Sequence, residues 1–150
     1  MIDLSFHGRV KDKKILQQFC DDVICHLFPR EFKRDIFIGI QFTDILDGGV
    51  FGYVHVVDRD GVYLIQVAKH VLDVDGNWVQ TTQRERAATI IHEMVHVRQY
   101  IRRELNEYMT RWKGQKIPYG PRGGVKIPYN KQPWETEAFE VEKELVDLLW

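Results

Sequence analysis

The stretch Ile91-His92-Glu93-Met94-Val95-His96-Val97 sets two imidazoles four residues apart, with a carboxylate directly after the first. On a helix, residues four apart project from one face, one turn from each other. Two rings so placed can share a tetrahedral zinc ion at about 2.0–2.1 Å each. Glu93 can then act on a water at the metal as a base instead of binding the metal itself. The chain holds six His and ten Glu, so a chance match to this five-residue pattern has odds on the order of one or two per cent. The spacing predicts a metal site carried on a helix, with Ile91, Met94 and Val95 on that helix's core face.

A catalytic zinc site takes three protein ligands and leaves one position open. No His follows His96. An extended pattern with a third His six residues on fails, because Arg102 stands there and Gln99 replaces the glycine it requires. His7, His26, His55 and His70 lie upstream, the last two on expected strands or strand ends. The simplest third ligand is a carboxylate from a second helix. Residues 134–149 supply candidates. At about 100° per residue, Trp134, Ala138, Phe139, Val141, Leu145, Val146, Leu148 and Leu149 span an arc of roughly 180°. Glu135 falls inside that arc, Glu137 at its edge, and Glu142 shares the face of Glu135 two turns on. A carboxylate on the buried side needs a partner, and a metal provides one. The order of preference is Glu135, Glu137, Glu142. Ala138 is small enough to let the two helices approach.

Other elements must hold these side chains. Residues 11–28 have a helical apolar period through Ile15, Leu16, Phe19, Val23 and Leu27, ended near Pro29. Residues 35–42, 53–57 and 62–68 read as strands, and Asp58-Arg-Asp-Gly61 joins the last two as a hairpin. From about Thr82 to Tyr108 the period turns helical, with Thr81 or Thr82 as its cap and Glu85, three residues after Thr82, as a capping-box partner, and its apolar stripe runs to Leu105. Residues 110–133 are irregular and hold four of the five prolines. Pro133 opens the last helix. One α+β domain over residues 1–150 fits: an N-terminal helix, a small antiparallel or mixed sheet, the His-bearing helix and a C-terminal glutamate helix.

At 150 residues the chain is the size of one domain, long enough to bury a real core. It has no apolar run of about 18 residues, and its start lacks a basic segment followed by an apolar one, so neither a membrane span nor a secretory signal is expected. Cys20 and Cys25 are the only cysteines. They form no Cys-x-x-Cys pair, and the expectation is idle thiols in a reducing, cytoplasmic compartment. The net charge of −1 argues against a generic nucleic-acid or membrane-surface binder. It hides a gradient: residues 97–131 hold nine Lys/Arg and two acids, whereas residues 132–150 hold six acids and one Lys. Pairing between the basic segment and the acidic helix is the simpler expectation. A basic rim that attracts an acidic partner is the alternative.

His92-Glu-x-x-His96 followed by Pro133-Trp-Glu-x-Glu-Ala138 resembles the zincin metallopeptidases with a glutamate ligand, the gluzincins. Among them it is closest to the small single-domain peptidases of phage and bacterial genomes, in the layout of the minigluzincins, the ImmA/IrrE peptidases and the SprT-like proteins. The motifs cover the chain from about residue 83; residues 1–80 match only in order of elements. The resemblance implies Zn2+ on His92, His96 and Glu135, with Glu93 as general base for hydrolysis of a protein or peptide substrate. It departs from SprT-like proteins in lacking a third His, and from the membrane gluzincins in having Phe139 where an Asp would follow. For an oxyanion donor the candidates are Tyr129 first, then Tyr119, Arg122 and Arg98. By analogy, and by the physics of strand addition, strand 62–68 is expected to lie along the cleft and pair with substrate backbone. Trp112 and Trp134 are expected to close the core between the loop and the last helix. Two other functions share the metal prediction: a latent or structural zinc module, and a DNA-associated protease with residues 98–131 as its nucleic-acid surface.

Overall fold

A computed structural model describes residues 1–150. The elements are β1 (Ile2–His7), α1 (Lys13–Leu27), β2 (Ile36–Thr43), β3 (Gly52–Asp58), β4 (Val62–Ala68), β5 (His70–Leu72), β6 (Trp78–Gln80), α2 (Gln83–Ile101), β7 (Arg111–Trp112), β8 (Gln115–Lys116) and α3 (Pro133–Leu149). Three helices and small mixed sheets make an α+β fold. A strand precedes the N-terminal helix, which the sequence pattern did not reveal.

The main sheet has the order β1-β2-β4-β3. β1 and β2 run parallel, as do β2 and β4, while β3 and β4 form the antiparallel hairpin expected at Asp58–Gly61. The parallel β1–β2 pair follows from α1, since parallel neighbours need a long crossover. Ile36, Ile38 and Ile40 of β2 and Tyr63, Ile65 and Val67 of β4 alternate onto one face and are buried. Leu16, Phe19, Val23 and Leu27 of α1 and Ala87, Ile90, Ile91, Met94, Val95 and Val97 of α2 cover that face in a single core cluster.

α2 is buried nearly all round, because the sheet and α1 flank it on one side and α3 on the other. Its start is the expected capping box: Thr82 accepts from the Glu85 backbone and Glu85 accepts from the Thr82 backbone. Its end comes at Ile101, about two turns before the expected end near Tyr108. Arg102 caps it, and Arg103 takes a left-handed φ of 60° that turns the chain away. Leu105 then packs in a separate small cluster with Ile117 and Trp134. Trp112 lies against Trp134 with ring centroids 6.1 Å apart, closing the core beside the loop as expected.

One expectation is overturned here. β4 cannot pair with a substrate, because β2 and β3 occupy both its edges. The free edge next to the helices belongs to β3.

Candidate metal centre

α2 and α3 pack together so that three side chains meet. Nε2 of His96 lies 2.6 Å and Nε2 of His92 3.1 Å from Oε1 of Glu135. The three residues each offer a ligand atom, all within 4.8 Å of one another. Ligands at about 2.0–2.1 Å around a tetrahedral ion stand about 3.4 Å apart, so the separations are of the right order for one cation. His92, His96, Glu93 and Glu135 are 6%, 8%, 7% and 7% exposed. Two imidazoles and a carboxylate form a donor set that suits zinc. The residues fit the ion the sequence pattern implies.

The geometry separates the three glutamates. Glu135, in the first turn of α3, is the one facing both rings. Glu137 instead accepts from Gln99 Nε2 at 3.1 Å and sits 3.6 Å from Arg98. Glu142 lies behind His92, its Oε1 3.4 Å from Nδ1. That nitrogen has no aligned hydrogen-bond partner, so Glu142 is the group placed to hold it. Phe139, which stands where the resembled pattern has an acid, packs edge-on against the His92 ring at 4.6 Å. The supporting carboxylate thus comes from one turn further along α3.

Gln99 is the residue sequence reasoning missed. It entered only as a departure from a glycine, yet it is fully buried. Its Nε2 donates to the Trp134 carbonyl at 3.0 Å and to Glu137. The amide oxygen therefore faces Nδ1 of His96, 2.8 Å away. Nδ1 must carry the proton, which leaves Nε2 directed at Glu135 and at any shared cation. A buried polar residue three positions after His96, on the same helix face, was the signal available in the sequence.

The electrostatics are those of buried charges held in mutual contact. Burial alone would hold the His92 imidazole down, but the facing carboxylates of Glu135 and Glu142 and the charge of Glu93 raise it to about 9. His96 is raised against the same penalty by Glu135 and Glu93. Burial opposes ionisation of Glu135 too, but the two rings lower it to about 2. Glu93 has no side-chain hydrogen bond, and burial pushes its carboxyl up despite both imidazoles.

A cavity of about 710 Å³ opens on these groups. β3 and the segment before it form one wall through Val50, Phe51, Gly52 and Tyr53, and Leu105, Met109 and Tyr129 form another. Gly52 is required where β3 crosses α2: a Cβ there would stand 2.4 Å from Thr89 Cγ2 and 3.2 Å from Glu93 Cγ. Of the four oxyanion candidates, Tyr129 alone lines the cavity. Burial, then the charge of Glu135, holds its phenol above the ordinary range, so it stays a donor. Tyr119 instead donates to the Met109 carbonyl at 2.6 Å. Arg98 is held at Glu137, and Arg122 is exposed on the loop. Tyr53 and Tyr100 also line the cavity, and sequence reasoning did not single them out. The upstream histidines stay away: His55 bonds Gln66 at 2.6 Å, and none joins the cluster.

The expected pairing of basic segment with acidic helix is limited to its start. Glu137 meets Arg98, but the other α3 contact, Asp147 with Arg84, uses a residue outside the segment. No family model, curated protein or solved structure matches the chain.

Proposed function

We propose that the protein is a zinc-dependent peptidase of the gluzincin type, with a zincin-like arrangement of sheet, α2 and α3. The observation that carries this reading is the convergence of His92 and His96 on Glu135 beside an unligated, buried Glu93 in an open cavity. When bound, the ion would supply Lewis acidity, lowering the pKa of a water toward about 7 and polarising the scissile carbonyl.

The chain's own groups do the rest. Glu135, His92 and His96 would hold the ion, with Gln99 orienting the His96 ring and Glu142 standing behind the His92 ring. Glu93, raised by burial, takes a proton from the attacking water and passes it to the leaving amine. The Tyr129 hydroxyl donates to the oxygen on which negative charge develops. The free edge of β3 offers backbone groups to an extended peptide. Both cysteines are free thiols, and no helix is long and apolar enough to cross a membrane. The free thiols support our proposal of a reducing, cytoplasmic compartment.

The test is zinc stoichiometry measured together with cleavage of a peptide library. Wild type should hold one zinc per chain and cut peptides, and Glu93→Gln should hold zinc and cut about 10²–10⁴-fold more slowly. Full zinc with no cleavage by wild type would favour a structural or latent site.

A further inference from the structure

Residues 111–131 carry six cations, Arg111, Lys113, Lys116, Arg122, Lys126 and Lys131, and no Asp or Glu. All six are exposed. Lys113 alone approaches an acid, Glu104 at 3.9 Å. The Arg111 guanidinium donates only to the Gly114 carbonyl. On α3, Glu135 and Glu142 face the histidine rings, Glu137 meets Arg98 and Asp147 meets Arg84, and no acid of that helix pairs with this loop.

The loop is anchored to the cavity. Tyr119 bonds the carbonyl of Met109, Trp112 packs on Trp134, and Tyr129 stands in the wall itself. Next to the positive surface, Leu105, Met109 and Trp134 give the cavity an apolar end.

Resting on the peptidase reading, we propose that this loop selects substrates in which an acidic segment flanks the bulky apolar residue that enters the cavity. Unpaired cations beside a low-dielectric cleft attract opposite charge and raise its local concentration. A polypeptide supplies both features at once, with apolar side chains for the cavity and carboxylates a few residues away. The exposed acids Glu140 and Glu144 of α3 add negative charge that disfavours a long polyanion more than a short acidic segment.

The experiment measures fluorescence anisotropy of labelled 12-residue peptides on full-length, zinc-supplied Glu93→Gln protein. The peptides share one apolar centre and differ in Glu, Gln or Lys flanks. The Glu-flanked peptide should bind at least about tenfold more tightly than the Gln-flanked one at low salt, with the margin collapsing by about 0.5 M. Lys116→Glu with Arg122→Glu and Lys126→Glu should reverse the preference toward Lys flanks. The same charge change at Lys11, Lys13 and Lys14, which are exposed near the start of α1, should retain it. Equal binding of Glu and Gln flanks would overturn the proposal. So would tighter binding of a short DNA duplex than of the Glu-flanked peptide, which would make nucleic acid the partner.

Cleavage by wild type is scored separately. Preferential binding without cleavage of any peptide would remove the peptidase reading and keep the acidic-segment surface. Equal cleavage and equal binding of Glu- and Gln-flanked peptides would do the opposite.

Discussion

Gln99 Oε1 sits 2.8 Å from Nδ1 of His96, and its own amide group is locked by two acceptors on α3. One side chain therefore sets both the tautomer of a ligand and the docking of the helix that brings the carboxylate. Replacing Gln99 with Leu leaves the Nδ1 proton buried without an acceptor. Zinc affinity should drop about 10–100-fold, read by competition with a chromophoric chelator. Gln99→Glu keeps an acceptor and should bind zinc far better than the Leu variant. Equal affinity in the two variants would remove the orienting role.

The three glutamates should rank differently from one another in metal binding. Glu135→Ala should lose more zinc affinity than Gln99→Leu. Glu142→Gln should cost less, since it touches His92 only through Nδ1 at 3.4 Å. Glu137→Gln should act only through Gln99. Zinc content after dialysis checks the order, and a Glu135 variant that retains stoichiometric metal would move the third ligand elsewhere.

Metal-free protein should lose stability as pH rises. His92 has a folded value of about 9 against an ordinary 6.5, so its contribution is full below 6.5 and lost as pH climbs through 9. His96 and the buried Glu93, both raised, act in the same direction. Glu135, lowered from 4.5 to about 2, contributes above 4.5 and fails only as pH falls toward 2. Tm in the presence of chelator should therefore fall between pH 6.5 and 9. Zinc should flatten or reverse that fall, because it takes the place of the protons on the rings. A chelated protein with a Tm that rises over this range would contradict the charged arrangement.

Gly52→Ala should crowd Thr89 and displace Glu93, costing about 1–3 kcal/mol of stability. Gly52→Ala with Thr89→Ser, which lacks the clashing methyl, should recover part of the loss. Denaturant melts of the four proteins measure the coupling. Additive effects would mean that the close approach of β3 to α2 is not what demands glycine.

The helical parts of this arrangement were legible in the residues. The capping box at Thr82, the proline that opens α3 and the projection of Glu135 into an apolar arc each follow from local chemistry. β1 and the interior place of β4 were not legible, because strand order is decided by long-range pairing that leaves no local mark. The end of α2 was misplaced because Leu105 continues its apolar period while packing against Trp134 instead of the main core. Gln99 was passed over since a lone polar side chain shows its purpose only when its partners on α3 are in place.

The most direct measurement of the central claim is the pair of values, bound zinc and peptide-bond cleavage, for wild type and Glu93→Gln. Wild type should bind one zinc and cleave, and Glu93→Gln should bind the same zinc with activity lower by about 10²–10⁴-fold. Wild type that binds no zinc tightly, or a Glu93→Gln variant that cleaves at the wild-type rate, would contradict the assignment of His92, His96 and Glu135 to the metal and Glu93 to the proton.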